Sequence, residues 1–332
     1  MKNKSITIVL STFILAIVVA VLLSGTDISA ASKYDSQRKQ HNSQHSSFNY
    51  DGNRVVRCIY DYKSQKTKLY YSNSLKKKGK AIAKVGMYGG GVYLKGNYIF
   101  YLDTAKKKII RCSTNGRRKK TIVEYKDDED DVTFTVHDNL LIYYVKGELY
   151  ICNIDGSDKK LIDTGVKRSY YADDKNIYYV SCGYLSEYNY DESTKKIISY
   201  IGIDKVGVLE GLEGNNLYYS VTRTDSDYLD NVTVYKRNLA TNKEKLIADF
   251  TAEDPIHTML VVSGKVCLLT GTGAGNGFGV VKGNSIIYKP YYKKYELGGE
   301  EIVYYKNNIA IENLKLTNKG YEHCGYCKML KI

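Results

Sequence analysis

Asn97-Tyr98-Ile99-Phe100-Tyr101 is echoed by Leu141-Ile142-Tyr143-Tyr144, by Asn176-Ile177-Tyr178-Tyr179 and by Asn216-Leu217-Tyr218-Tyr219. Aligned on the last tyrosine, the echoes fall at 101, 144, 179 and 219, with gaps of 43, 35 and 40 residues. A period of that length belongs to propellers and solenoids. What lies between the echoes decides between them. One unit runs Val132 to Val136, then Leu140 to Val145, then Glu148 to Ile154, the turn Asp155-Gly156-Ser157-Asp158, and Lys160-Leu161-Ile162. Each piece is short, rich in β-branched and aromatic residues, and bounded by turn residues, which predicts four antiparallel strands. Asp-Gly is a hairpin signal because glycine adopts a positive φ without steric cost.

Neighbouring units repeat the plan. The preceding one has Lys108 to Ser113, a turn at Asn115-Gly116, and Thr121-Ile122-Val123; the following one turns at Asp191-Glu192-Ser193 and closes on Lys196-Ile197-Ile198. We place the units at about 51–86, 88–125, 130–164, 166–202, 205–250, 254–298 and 300–332. A four-stranded sheet cannot bury both faces alone, so successive sheets must stack around an axis. The predicted fold is therefore all-β, a β-propeller of four-stranded antiparallel blades over residues 51–332. The count is seven, or six if the irregular first and last units combine.

Composition agrees. The chain has 332 residues, 43% of them apolar, with 34 Tyr, 6 Phe and no Trp. Tyrosine packs its ring on a pleated surface while its hydroxyl reaches water or a backbone partner. With 49 basic and 36 acidic residues the net charge is +13, which favours polyanionic partners. Lys76-Lys77-Lys78, Lys106-Lys107-Lys108, Arg117-Arg118-Lys119-Lys120 and Lys293-Lys294 carry much of it; as inter-strand turns they also solvate and protect edges.

Ahead of the repeats, Lys2 and Lys4 precede an uncharged run from Ser5 to Gly25, and Ser29-Ala30-Ala31 offers a small-residue cleavage site. The pattern is that of a signal peptide, and the run also reaches the length of a membrane span. Residues 1–31 are thus expected to be a cleaved signal or a retained anchor, with residues 5–25 in the membrane. Either reading puts the remainder outside the cytoplasm, where nucleic acid is a poor partner. Residues 32–50, polar and with little to pack, are expected to form a flexible tether.

Segments such as Glu148-Leu149-Tyr150-Ile151-Cys152-Asn153-Ile154-Asp155-Gly156-Ser157-Asp158-Lys159-Lys160-Leu161, followed by Asn176-Ile177-Tyr178-Tyr179, resemble an uncharacterised bacterial propeller family. That family, mainly clostridial, is described as similar to the β-propeller of low-density-lipoprotein-receptor-related proteins. The likeness covers nearly everything from residue 50 onward and implies the fold and an extracellular address. It supplies no catalytic residue. The Tyr-Trp-Thr-Asp tetrad of receptor propellers has no counterpart here, since the chain lacks tryptophan.

Candidate chemistry is sparse. His41 and His45 have metal-ligand spacing only on a helix, and disorder is expected there. Cys324-Gly325-Tyr326-Cys327 lacks the strand-then-helix context of a redox motif; a local disulfide or two thiols in a hairpin fits better. Zinc would need two further ligands. Cys58, Cys112, Cys152, Cys182 and Cys267 sit singly in strand patterns, and Cys112 and Cys152 occupy equivalent places, as core-filling residues would. Asp127-Asp128-Glu129-Asp130-Asp131 could attract calcium but lacks the alternating loop with its central glycine, so a solvated loop is expected. The glycine-rich Gly271 to Gly279 lacks the helix or the Lys-Ser/Thr of a phosphate loop and is read as a flexible connection. His137 and His257 look isolated at strand edges.

No catalytic residue, cofactor or metal is therefore assigned. The expected function is an exported, monomeric, non-enzymatic module that binds protein or an anionic wall polymer. The alternatives are a carbohydrate-active enzyme with its site in the central channel, and a structural spacer in an envelope assembly.

Overall fold

The computed structural model describes residues 35–331 apart from 62–65, 87–90, 127–130, 203–205, 225–229, 253–255, 263, 273–274, 289–301, 307 and 318–319. The expected signal or anchor at residues 1–31 lies outside the described residues, as does most of the acidic run, 127–130. Among the described residues no helix is long and apolar enough to cross a membrane.

Among the described residues, seven antiparallel sheets follow one another along the chain, six of four strands and one of three. Sheet 1 holds β1 (Phe48–Asp51), β2 (Arg54–Asp61), β3 (Lys66–Ser72) and β4 (Lys80–Val85), and sheet 2 holds β5 (Val92–Lys95), β6 (Tyr98–Asp103), β7 (Lys108–Ser113) and β8 (Lys120–Glu124). Sheet 3 contains β9 (Val132–His137), β10 (Leu140–Val145), β11 (Glu148–Asn153) and β12 (Lys160–Asp163). Sheet 4 is built from β13 (Val166–Ala172), β14 (Asn176–Ser181), β15 (Tyr184–Asn189) and β16 (Thr194–Tyr200). Sheet 5 is β17 (Val206–Glu213), β18 (Asn216–Thr224), β19 (Asp230–Asn238) and β20 (Lys243–Ala252). Sheet 6 is β21 (Ile256–Val262), β22 (Lys265–Thr272), β23 (Gly275–Lys282) and β24 (Ser285–Tyr288), and sheet 7 is β25 (Ile302–Tyr305), β26 (Asn308–Thr317) and β27 (Gly320–Lys331).

Apolar clusters join each sheet to the next. Val56 and Leu69 meet Ile99 and Tyr101 between sheets 1 and 2, Phe100 and Ile109 meet Leu141 and Tyr143 between sheets 2 and 3, and the series continues through Leu269 and Tyr304 between sheets 6 and 7. Phe48, Tyr50 and Val55 then pack against Val303, Tyr305 and Ala310, so sheet 1 touches sheet 7 and the series returns to its start. This is a β-propeller. Its first strand begins at Phe48 rather than at residue 51, and the N-terminal strands pair with one another instead of completing sheet 7.

One detail of the tyrosine alignment is corrected. Tyr101, Tyr179 and Tyr219 face the preceding sheet, and in the unit between them the residue that does so is Tyr143, not Tyr144. The equivalent positions are thus 101, 143, 179 and 219, with gaps of 42, 36 and 40. All three are even. Side chains alternate across a strand, so a slip of one residue sends the ring into the opposite interface.

A second repeat emerges in the outermost strands. On β4, β8, β12, β16 and β20 the pairing register skips one residue, and that residue is Ile82, Ile122, Ile162, Ile198 and Ile247 in turn. A bulge re-aims its side chain, and each of these isoleucines packs on an inter-sheet cluster. The hairpin glycines seat against these bulges. Gly116 lies at φ +78° with its missing Cβ directed at the Ile82 carbonyl, and Gly156 lies at φ +90° with the Ile122 carbonyl 2.6 Å from where a Cβ would stand. Glycine is required here for conformation and for space.

Candidate functional site

From residue 35 onward, the stretch expected to be a flexible tether is ordered. Residues 35–45 form a helix, α1, and residues 37–44 are all buried. Its sequence, Asp-Ser-Gln-Arg-Lys-Gln-His-Asn-Ser-Gln-His, contains neither glycine nor proline, and Asp35 opens it where a carboxylate favours a helix N-terminus. A helix polar on all sides has no apolar stripe with which to dock. It docks by a different means: the first strand of each sheet is an edge strand, and an edge carries unpaired N–H and C=O groups.

Carboxamides complete those edges, because each offers one acceptor oxygen and an N–H donor. The Gln40 Oε1 accepts from the Ala172 N–H at 2.7 Å while its Nε2 donates to the Ala172 carbonyl at 2.9 Å. Gln44 treats Tyr170 in the same way, at 3.1 and 2.6 Å, and Asn42 does so for Tyr304, at 3.0 and 2.7 Å. Gln40 and Gln44, four residues apart, share the helix face toward β13, while Asn42 faces β25. Ser43 Oγ donates to Thr135 Oγ1 on β9 at 3.0 Å, and the Gly214 N–H donates to Gln37 Oε1 beyond β17. Asn49 on β1 donates to the Lys39 carbonyl at 2.8 Å. The helix thereby bonds to the inner strands of sheets 1, 3, 4, 5 and 7 or to the turns that follow them.

Charges at the first turn are paired as well. Arg38 lies 3.5 Å from Glu213 and donates to the Lys306 carbonyl, and Lys39 lies 3.7 Å from Asp51 with its ammonium 5.0 Å from the Tyr93 ring centroid. Burial lowers the Lys39 pKa, partly offset by Asp51.

His41 and His45 do stand on a helix, with ring centroids 4.6 Å apart. Among the described residues no group of three metal-ligating side chains gathers around them. The His41 Nδ1 is instead 2.5 Å from the Tyr171 hydroxyl, and the His45 Nε2 is 3.4 Å from Ser169 Oγ. Burial keeps both imidazoles neutral, lowering His41 well below its ordinary value and His45 to about 4. Facing them is Glu210 of β17, 7% exposed, whose Oε1 accepts from Ser220 Oγ at 2.6 Å and whose pKa burial raises to about 7. These three residues line a cavity of about 270 Å³ between α1 and sheets 5 and 6.

The remaining candidates separate. His137, expected to be isolated, ends β9 in a buried position with its Nδ1 3.2 Å from Gln40 Nε2; His257 lies on β21. Cys324 and Cys327 lie on β27, each at a register shift, since the pairing passes from Lys328 to Tyr326 and from Gly325 to His323. The described residues after them, 328–331, continue the strand. Cys112 and Cys152 occupy matching places, opposite Ile99 and Leu141, and burial raises both thiols to about 11, as inert core fillers require. Cys182 stands in the β14–β15 turn rather than in a strand. The Gly271 to Gly279 stretch is no loose loop: Thr272 pairs with Gly275, so it belongs to the β22–β23 hairpin. Asp131, the described end of the acidic run, accepts from the Tyr144 hydroxyl at 2.8 Å and faces Arg168 at 3.8 Å.

By sequence, the chain matches no family model and no curated protein. The resemblance to a clostridial family therefore rests on repeat style. Solved structures do match in fold. A puromycin hydrolase gives a TM-score of 0.55 at 7% identity, over 89% of this chain and 57% of that one. A chain of the mitotic checkpoint complex gives 0.54 at 9% identity, over 84% and 86%, and the N-terminal domain of Nup159 gives 0.52 at 8% identity, over 85% and 92%. At these identities the likeness establishes the β-propeller fold.

Proposed function

We propose that this protein is an exported, non-enzymatic, seven-bladed β-propeller that binds an anionic glycopolymer of the cell surface through its rim. The observation that carries this reading is a repeated lysine. Two residues before each bulge isoleucine stands Lys80, Lys120, Lys160, Lys196 or Lys245, and all five are exposed on the outermost strands of consecutive sheets. Exposed apolar side chains stand among them: Leu161, Ile197 and Leu246 follow three of the lysines directly. On sheet 4 the exposed Tyr184 and Tyr200 pair across strands with centroids 4.9 Å apart. A cation repeated on five consecutive sheets suits a polymer that repeats its own charge, while tyrosines beside the cations suit sugar rings. The channel, where a propeller enzyme could assemble carboxylates, holds α1.

The test is retention on purified, phosphate-bearing wall polymer. Retention should fall steeply between 50 and 500 mM salt, on the order of the screening expected of exposed charges. Reversing the five lysines to glutamate should abolish it without altering the far-ultraviolet circular dichroism. Salt-independent retention, or retention by the reversed variant, would reject the reading, and turnover of the polymer would replace it with an enzymatic one.

A further inference from the structure

The channel helix reaches the inner strands of five sheets, and on the side of sheets 5 and 6 the ring leaves a space. That space has a built floor. Glu210 is more than nine-tenths buried, and of its two carboxylate oxygens only Oε1 is engaged, by Ser220. No described residue bonds to Oε2. The charged groups around it are few: His41 and His45 are held neutral by burial, and Arg168, whose charge His45 feels, is already turned toward Asp131. Val232 and Met259 form apolar walls, and the half-buried Val208, Thr222 and Ile256 stand at the mouth. A buried carboxylate with one free oxygen and no cation costs free energy, which a cationic ligand would recover. The space of about 270 Å³ lies just below the range of drug-sized pockets, which limits the occupant to a few heavy atoms.

We infer that this cavity is a binding site for a small primary ammonium ion on a short alkyl chain. The ammonium donates to Glu210 Oε2 and to the hydroxyl of Thr258, and the chain lies along Val232 and Met259. The two imidazoles, held neutral by burial, add no repelling charge. This site is separate from the lysine rim and attracts charge of the opposite sign.

Calorimetric titration of the full chain with n-butylammonium chloride at pH 8, against n-butanol at matched ionic strength, tests it. The ammonium should bind saturably and raise the thermal midpoint, and the alcohol, of similar shape but uncharged, should do neither. Glu210→Gln should weaken binding about tenfold or more, as loss of a charge-assisted hydrogen bond does. Should that variant not fold, Val208→Phe blocks the mouth and should abolish binding while leaving the fold intact. Equal binding of the alcohol, undiminished binding by E210Q or V208F, or no saturable binding by the wild-type chain would each overturn the assignment.

Discussion

The joints between the sheets and the lining of the channel are made from opposite chemistry. Between sheets the contacts are apolar and periodic: a tyrosine from a second strand, an isoleucine from a bulge, and a glycine turn pressed against the neighbour's carbonyl. In the channel they are polar and aperiodic: Gln40, Asn42 and Gln44 each hold both backbone groups of one edge residue. The apolar joints carry most of the area that drives folding. The channel contacts add little net energy per bond. Their role lies in what they prevent, because an edge group buried without a partner loses the full cost of its desolvation. One region makes the sheets stack, and the other makes the inner edges acceptable once stacked.

Removing α1 is the strongest way to break that comparison. A chain beginning at residue 47 leaves six backbone groups, on Ala172, Tyr170 and Tyr304, without their carboxamides. At about 1 kcal/mol per bond the loss is about 6 kcal/mol, or a fall of about 10 °C in thermal midpoint for a domain of this size. A chain beginning at residue 35 keeps the helix and should melt as the full chain does. If the two truncations melt alike, the helix is an ornament and the channel argument fails. Exposed inner edges should also make the shorter chain prone to association.

The channel differs from the joints in its response to pH. In the folded protein Glu210 titrates near pH 7, against 4.5 in an open chain. Between those values the folded state holds a proton that the unfolded state has released, so this residue's contribution to stability falls as pH rises, by about 3 kcal/mol across the window. His45 works in the other direction: from 6.5 down to about 4 the unfolded chain takes up a proton that the folded one refuses, so stability falls on acidification. Glu210→Gln removes the first effect alone. It should be more stable than the wild type by roughly 3 kcal/mol at pH 8, with the gap closing toward pH 4.5. Chemical denaturation at several pH values measures this, and a gap that stays constant would show that Glu210 is not desolvated.

The joints are probed at their glycines. Gly156→Ala forces a side chain into a left-handed backbone and against the Ile122 carbonyl, so about 2–4 kcal/mol of destabilisation is expected from strain and overpacking together. Gly52 has a positive φ too, +63°, yet open space where a Cβ would stand, and Gly52→Ala should cost only about 1 kcal/mol. Equal costs would mean that the turn does not press on the preceding sheet.

These two regions were not equally legible. Strands such as Leu140–Val145 could be read to the residue because alternation and turn signals are local, and the turn Asp155-Gly156 marked a hairpin on its own. The lysine two residues before each bulge isoleucine was present in the sequence; finding it needs the outer strands aligned, which the skipped register makes visible. The channel helix offered no such signal. Gln40 and Gln44 complement a strand edge, and that edge exists only when the ring has formed. Glu210 was equally hidden, since in Val208-Leu209-Glu210-Gly211 it looks like an outward residue of an alternating strand, whereas the pairing register skips it between Leu209 and Gly211 and the folded ring buries it.

The finest distinction concerns the tyrosines that first pointed to the fold. Their rings are common to all the joints, but their hydroxyls are not used alike. The Tyr143 ring stacks on Tyr150 at 5.1 Å, 10° from parallel, while its buried hydroxyl has no hydrogen-bond partner among the described residues. The Tyr170 hydroxyl, at the edge of the channel, donates to the Ile142 carbonyl at 3.2 Å. Tyr143→Phe should therefore be neutral or stabilising by up to about 1 kcal/mol, since it removes a polar group whose burial is uncompensated. Tyr170→Phe should be destabilising by about 1 kcal/mol, since it leaves the carbonyl short of its donor. Denaturant midpoints at constant m-value separate the two. If the order is reversed, the hydroxyl of Tyr143 is bonded in solution, and the apolar joints are less dry than their ring stacking implies.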